Sequence, residues 1–122
     1  MVNNQEELRQ TANQLAARGK GLLALDESTG TIGKRLSGIN IENTEKNRQA
    51  YRGMLVTTQG LGNYISGIIL FEETLYQNHL DGDTMVSKIQ NLGIIPGIKV
   101  DKGLSPLAGG HEVETWCKGW KD

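Results

Sequence analysis

A single cysteine, Cys117, stands in the whole sequence. An internal disulfide and any two-cysteine redox or zinc motif are therefore excluded, and a reducing compartment is the natural setting. Long hydrophobic runs are also missing, since no apolar stretch approaches the roughly 20 residues that a membrane-spanning helix needs. The opening residues Met1, Val2, Asn3, Asn4, Gln5, Glu6 and Glu7 lack the basic-then-apolar pattern of a signal peptide. Together these absences predict a cytoplasmic protein with no membrane contact. An excess of charge of one sign is absent too: 13 basic against 14 acidic side chains leave a net charge of -1. No broad positive field can hold nucleic acid, so any contact with phosphate has to be local. His79 and His111 have no metal-ligand spacing to each other or to Cys117, and no metal is assigned.

What is present suits a folded protein. An apolar fraction of 37% and 16 glycines describe a globular chain with many short loops. The 122 residues suffice for one small domain, whereas a complete parallel barrel takes roughly 250. With no internal repeat, low-complexity tract or linker, residues 1–122 read as one piece of one domain.

Leu8, Ala12, Leu15 and Ala16 recur at helical spacing, predicting an amphipathic helix from Gln5 to Arg18 closed by Gly19. Gly21 to Leu25 then forms a short continuous apolar run, as in a strand covered on both faces, and Asp26, Glu27 and Ser28 sit at its far end. Ile32 and Leu36 permit a short helix beginning near Ser28 or Thr29. Asn43 or Thr44 can cap a longer helix whose inner face would carry Tyr51, Met54, Leu55 and Thr58, with Gly60 and Gly62 ending it. Ser66 to Phe71 repeats the strand pattern, followed by Glu72, Glu73 and Thr74. Asp81, Gly82 and Asp83 make a turn, Thr84 can cap, and Met85, Val86, Ile89 and Leu92 give another short helix stopped by Gly93. A third strand is predicted from Ile94 to Lys102, with Lys99 and Asp101 on one side, although Pro96 cannot donate to a ladder. Gly103 to Gly110 reads as a loop, and Val113 to Trp120 fits no class. Strands alternating with helices imply parallel pairing and an α/β fold, in which reacting groups collect where the strands end.

The charged groups occupy that position. Asp26 at the end of a buried strand can serve proton transfer or hold a lysine, and it can equally belong to the cap of the next helix. The turn Gly30-Thr31-Ile32-Gly33-Lys34-Arg35 offers backbone N–H groups, hydroxyls and a guanidinium to one phosphate, or is simply a solvated basic surface. It is not a nucleotide-binding P-loop, because too few residues separate its glycines and Arg35 follows Lys34. Lys99, Asp101 and Lys102 follow an unusually apolar strand. Neighbouring lysines lower each other's pKa, favouring an amine nucleophile or a phosphate clamp, while the alternative is an inert salt bridge. Arg48 lies on the polar side of its helix, and Glu72 and Glu73 read as solvated or structural acids.

The run Leu22-Leu23-Ala24-Leu25-Asp26-Glu27-Ser28-Thr29-Gly30-Thr31-Ile32-Gly33-Lys34-Arg35-Leu36 resembles the first-strand motif of class I fructose-bisphosphate aldolases. Glu42 to Arg48, Ile68 to Tyr76, and Pro96 to Gly103 with Pro106 to Gly109 resemble later motifs of that family, in the same order. The resemblance implies the N-terminal part, about three strand-helix units, of a TIM (β/α)8 barrel. It implies reversible cleavage of fructose 1,6-bisphosphate to dihydroxyacetone phosphate and glyceraldehyde 3-phosphate through a lysine Schiff base, with neither metal nor cofactor, in a homotetramer. Carried over by motif, Asp26 is the catalytic aspartate, and Ser28, Thr31, Arg35, Arg48 and Lys99 bind substrate. Leu25 and Thr31 stand where the family more often has Ala and Ser, and threonine keeps the hydroxyl. The Schiff-base lysine itself would lie beyond Asp122, and none of Lys99, Lys102, Lys118 or Lys121 aligns with it, so the 122 residues alone are expected to be inactive. The competing expectation is a short, non-catalytic sugar-phosphate-binding or interaction module derived from the same barrel.

Overall fold

The structure, a computed structural model, describes residues 4–119. Met1 to Asn3 and Trp120 to Asp122, on which parts of the sequence reading fell, lie outside the described residues. Helix α1 spans Asn4–Leu15 and turns through Gly19, whose φ of +80° suits glycine. Strand β1 follows at Gly21–Leu25. Helix α2, Thr29–Ser37, begins where the Ser28 hydroxyl accepts the Thr31 N–H at 3.3 Å. Helix α3, Glu45–Val56, is capped by Thr44, whose hydroxyl accepts the Asn47 N–H at 3.2 Å. A short α4, Leu61–Tyr64, leads into β2, Ile65–Leu70. After β2 come α5, Glu72–Leu75, and α6, Met85–Asn91, the latter capped by Thr84. Strand β3 spans Ile95–Ile98, and β4, Leu104–Pro106, pairs antiparallel with β5, Thr115–Cys117.

Strands β1, β2 and β3 form a parallel sheet in sequential order, as the alternation of strand and helix predicts. Leu25 pairs with Leu70, and Leu70 with Ile98, so the strands end level with one another. Leu25, Ile68 and Leu70 pack with Val56 of α3 and with Met85 and Ile89 of α6 into the core. This layering aims the residues that follow each strand towards one end of the sheet, where the candidate chemistry sits.

Several expectations are corrected. β1 is not fully covered on both faces: Leu25 is buried while Leu22, on this edge strand, is 56% exposed. On α3, Tyr51 and Leu55 pack against the core as expected, whereas Met54 and Thr58 are exposed and the buried positions are Arg48, Arg52, Gly53 and Val56, so the helix buries two arginines that the apolar pattern did not indicate. The third strand stops at Ile98. Its last ladder bond is donated by the Lys99 N–H to the Leu70 carbonyl, after which β2 has turned away into α5 and offers no further partner. The predicted loop and the unclassified stretch after it instead contain the β4–β5 hairpin.

Two glycines separate close packing from local flexibility. A Cβ on Gly62 would lie 2.3 Å from the Leu92 carbonyl oxygen, whereas one on Gly30 meets nothing within 4 Å. Gly62→Ala is expected to destabilise the fold by about 1–3 kcal/mol through overpacking against backbone. Gly30→Ala, within α2, is expected to stabilise it by about 0.4–1 kcal/mol. Urea midpoints measured for the two variants should move in opposite directions.

Candidate functional site

The ends of all three parallel strands converge on a cleft of about 580 Å³ lined by Ser28, Glu72, Lys99, Asp101 and Lys102. Asp26 leaves the end of β1 and Lys99 the end of β3, and the Lys99 ammonium lies 3.8 Å from the Asp26 carboxylate. Lys99 also donates a short hydrogen bond to Asp101, whose other oxygen accepts the Gly103 N–H at 3.2 Å. The hydrogen bond that Lys99 donates to Asp101, reinforced by the negative charges of Asp101 and Asp26, raises the Lys99 pKa. The same bond lowers that of Asp101. Of the alternatives the sequence left open, acidification by neighbouring lysines is not found and the salt bridge is: Lys99 is an ammonium held between carboxylates, fitted to grip an anion and poorly fitted to attack a carbonyl.

Ser28 divides its hydroxyl between capping α2 and a 3.1 Å contact with the Thr31 hydroxyl, so these two groups stand together at the start of that helix. Arg35 lies on the exposed side of α2 and donates to the Glu27 carboxylate and, at 3.4 Å, to the Tyr51 hydroxyl. Those partners raise its pKa, the Tyr51 hydrogen bond first.

Arg48 is not delivered to the cleft. Its Nε and Nη2 grip the Glu73 carboxylate at 2.9 and 2.5 Å, and its Nη1 donates to Asn43 Oδ1 at 3.0 Å. Sequence reasoning missed the residue that completes this cluster. Arg52, fully buried, donates to Glu73 Oε2 at 3.0 Å and to the Glu27 carbonyl at 2.7 Å, and its guanidinium carbon lies 5.5 Å from the centre of the Phe71 ring. A signal existed, because Arg48, Arg52 and Val56 repeat at intervals of four along α3 and so share one face with the core. Glu73, read as a structural acid, is the hub of that face.

A second cleft, of about 610 Å³, opens at the opposite end of the strands beside Gln14, Lys20, Ser66, Gln90 and Pro96. Among the described residues Lys20 is the only charged one in its lining, and its ammonium is engaged by the Gly62 carbonyl. Charge and hydroxyl groups therefore select the smaller cleft as the site.

The fold and the site define a parallel α/β protein with an acid-flanked lysine and a hydroxyl-bearing helix start where its strands end. Residues 7–122 match the family described as glycolytic, fructose-bisphosphate aldolase class-I. The chain belongs to the class-I fructose-bisphosphate aldolase family. It is 61% identical over 114 residues to "Fructose-bisphosphate aldolase 3, chloroplastic" of Arabidopsis thaliana, an alignment covering 93% of this chain and 29% of that protein. It is 60% identical over 114 residues, with the same coverage of each chain, to "Fructose-bisphosphate aldolase, chloroplastic" of Oryza sativa subsp. japonica. Among solved structures it resembles, with a TM-score of 0.90 and 51% identity, the fructose-bisphosphate aldolase of Plasmodium falciparum in a ternary complex with TRAP and a small-molecule inhibitor. That similarity covers 98% of this chain and 34% of the other. The chain thus spans less than a third of the length of the curated relatives named here. The expectation of a cytoplasmic home is overturned by the chloroplastic naming of those relatives. It had rested on the opening residues and on cysteine content, and neither distinguishes one reducing compartment from another. Among the described residues, no helix is long and apolar enough to cross a membrane.

The arginine grip on Glu73 also sets a pH dependence. Hydrogen bonds from Arg48, then the charges of Arg48 and Arg52, hold the Glu73 carboxyl below its ordinary pKa. A depressed carboxylate contributes stability above the ordinary range, near 4.3, and that contribution is lost as pH falls through the lowered value. Glu73→Gln is expected to cost roughly 1–3 kcal/mol at neutral pH. The difference from wild type should shrink on acidification through and below the ordinary range, as measured by urea unfolding across the pH series.

Proposed function

We propose that this chain is the N-terminal portion, about three strand-helix units, of a TIM (β/α)8 barrel that carries class I fructose-bisphosphate aldolase activity. The reaction is the reversible cleavage of fructose 1,6-bisphosphate into dihydroxyacetone phosphate and glyceraldehyde 3-phosphate, within a homotetrameric intact protein. Family membership supports the reaction class, and the observation that carries the site is the meeting of Asp26 and Lys99 at 3.8 Å where the strands end. Sequential parallel pairing of β1, β2 and β3 supports the barrel, whose active sites lie at that same end.

In this reading the residues of the chain bind, orient and handle protons, while the Schiff base forms on a lysine outside them. An imine formed on a lysine becomes, when protonated, the sink for the electron pair released as the carbon–carbon bond breaks. Asp26, within 3.8 Å of the Lys99 ammonium and partly open to solvent, is placed to relay a proton beside the reacting carbons. Lys99 supplies a persistent positive charge to the phosphate remote from the ketone end, and the hydroxyls of Ser28 and Thr31 orient its oxygens. Arg35, exposed on one side, can trade part of its contact with Glu27 for a phosphate oxygen. Arg48 we assign to holding Glu73, because its donors are already spent on Glu73 and Asn43.

The test uses substrate and borohydride together. In a coupled assay the 122-residue chain should show no cleavage, and borohydride reduction with dihydroxyacetone phosphate should leave no covalent adduct on it. The full-length protein should show both, with Asp26→Asn lowering kcat by about 100-fold or more. A reduced adduct on Lys99 or Lys102 would overturn the division of roles, and a full-length protein without either signal would overturn the assignment.

A further inference from the structure

We infer that Arg52 is a positioning residue that fixes Asp26 and Ser28 through the peptide between them, an inference that rests on the roles proposed above for those two residues. The turn from Asp26 to Thr29 joins β1 to α2 and carries two of the groups assigned to the site. Its backbone is held from both sides by side chains of other elements. Arg52 Nη2 takes the Glu27 carbonyl at 2.7 Å, and Asn43 Nδ2 takes the Thr29 carbonyl at 3.0 Å.

Both restraints lead to one carboxylate. Arg52 Nη1 is bonded to Glu73 at 3.0 Å, and Asn43 accepts from Arg48, which itself grips Glu73. Glu73 sits in α5, directly after β2, so the network ties the end of β1 to the end of β2 through the buried face of α3. Rotation of the Glu27 carbonyl would swing Asp26 on one side and Ser28 on the other, since they are its immediate chain neighbours. The guanidinium is suited to prevent this because its planar fork reaches two acceptors at once. Its approach to Phe71, which itself lines the cleft, fixes the plane of the fork. A lysine ammonium has no such fork, and the fully buried setting of Arg52 leaves no water to replace a lost bond. Arg52 touches none of the groups assigned to substrate, so its effect is transmitted and not direct.

The experiment is a mutant cycle in the full-length protein: Arg52→Lys, Asp26→Asn, and the two combined, with Glu73→Gln as a second way of removing the Arg52 anchor should Arg52→Lys fail to fold. Arg52→Lys, folded by circular dichroism, is expected to lower kcat about 10- to 100-fold through misplacement of Asp26, with a smaller rise in KM through Ser28. Added to Asp26→Asn, it is expected to cost no more than about twofold, because its effect runs through the group already disabled. Equal losses in both backgrounds would overturn the inference, as would restoration of wild-type kcat by the lysine. A crystal structure of Arg52→Lys supplies a readout independent of activity. Loss of the Asp26–Lys99 contact supports the positioning role, and its retention overturns it. If wild-type protein cleaves no substrate, the functional assignment falls and that structure still decides whether Arg52 positions Asp26.

Discussion

The grip of two arginines on Glu73 is the constraint on which the site end of this structure depends. Removing Arg52 wholly from water and Arg48 nearly so carries a desolvation cost that a lone carboxylate could not offset. The cost is met by hydrogen bonds beyond the ion pairs: Arg48 reaches the Asn43 side chain, and Arg52 reaches the Glu27 carbonyl. The Arg52 bond goes directly to the segment that leads into the cleft, and Asn43 passes the Arg48 bond on to the Thr29 carbonyl, so the groups that make burial of charge tolerable also fix the shape of that turn. Apolar side chains in the same places would fill the space but could not specify where a carbonyl points.

A second charge cluster has the opposite character. Lys99, Asp26 and Asp101 are each partly open to solvent, and the lysine is shared between two carboxylates. Pairing secures the ammonium form, while exposure keeps it available to an incoming anion. A phosphate entering the cleft would compete with Asp101 for Lys99 without a large desolvation cost, since none of the three groups is sealed away. The buried cluster sets geometry and the open one supplies exchangeable charge, and Arg52 beneath the Asp26–Ser28 turn joins the two.

The strands and caps were legible in the sequence because their signals are local. Gly21 to Leu25 emerged with the expected bounds, and Ser28, Thr44 and Thr84 cap the helices that follow them. The meeting of Asp26 with Lys99 was legible in outline from strand ends alone. What misled were positions at which hydrophobicity gives the wrong sign. Met54 looked like core and is exposed, whereas Arg52, which no apolar pattern marks, is fully buried, because its partners Glu73 and the Glu27 carbonyl lie far away along the chain. Periodicity identifies a face but not which face turns inward once a polar network, and not apolar area, makes the contact. The end of the third strand was misplaced for a related reason: a strand continues only while its neighbour does, and β2 leaves the sheet after Leu70.

Pairing of the strands in sequence order has a further consequence for how the site can form. Asp26 and Lys99 arise on β1 and β3, which do not touch; each is brought into place by β2 between them. The distance between the two side chains is thus set by twice the inter-strand spacing and by the conformation just past Leu25 and Ile98, where the ladders have ended. On the β3 side, Lys99 still donates its N–H to Leu70, so its backbone remains part of the sheet. On the β1 side the corresponding restraint comes from Arg52, a side chain standing in for the missing ladder bond. The site end of such a sheet needs support of this kind wherever the chain must leave the ladder before it presents its charged group, and the buried polar face of α3 provides it here.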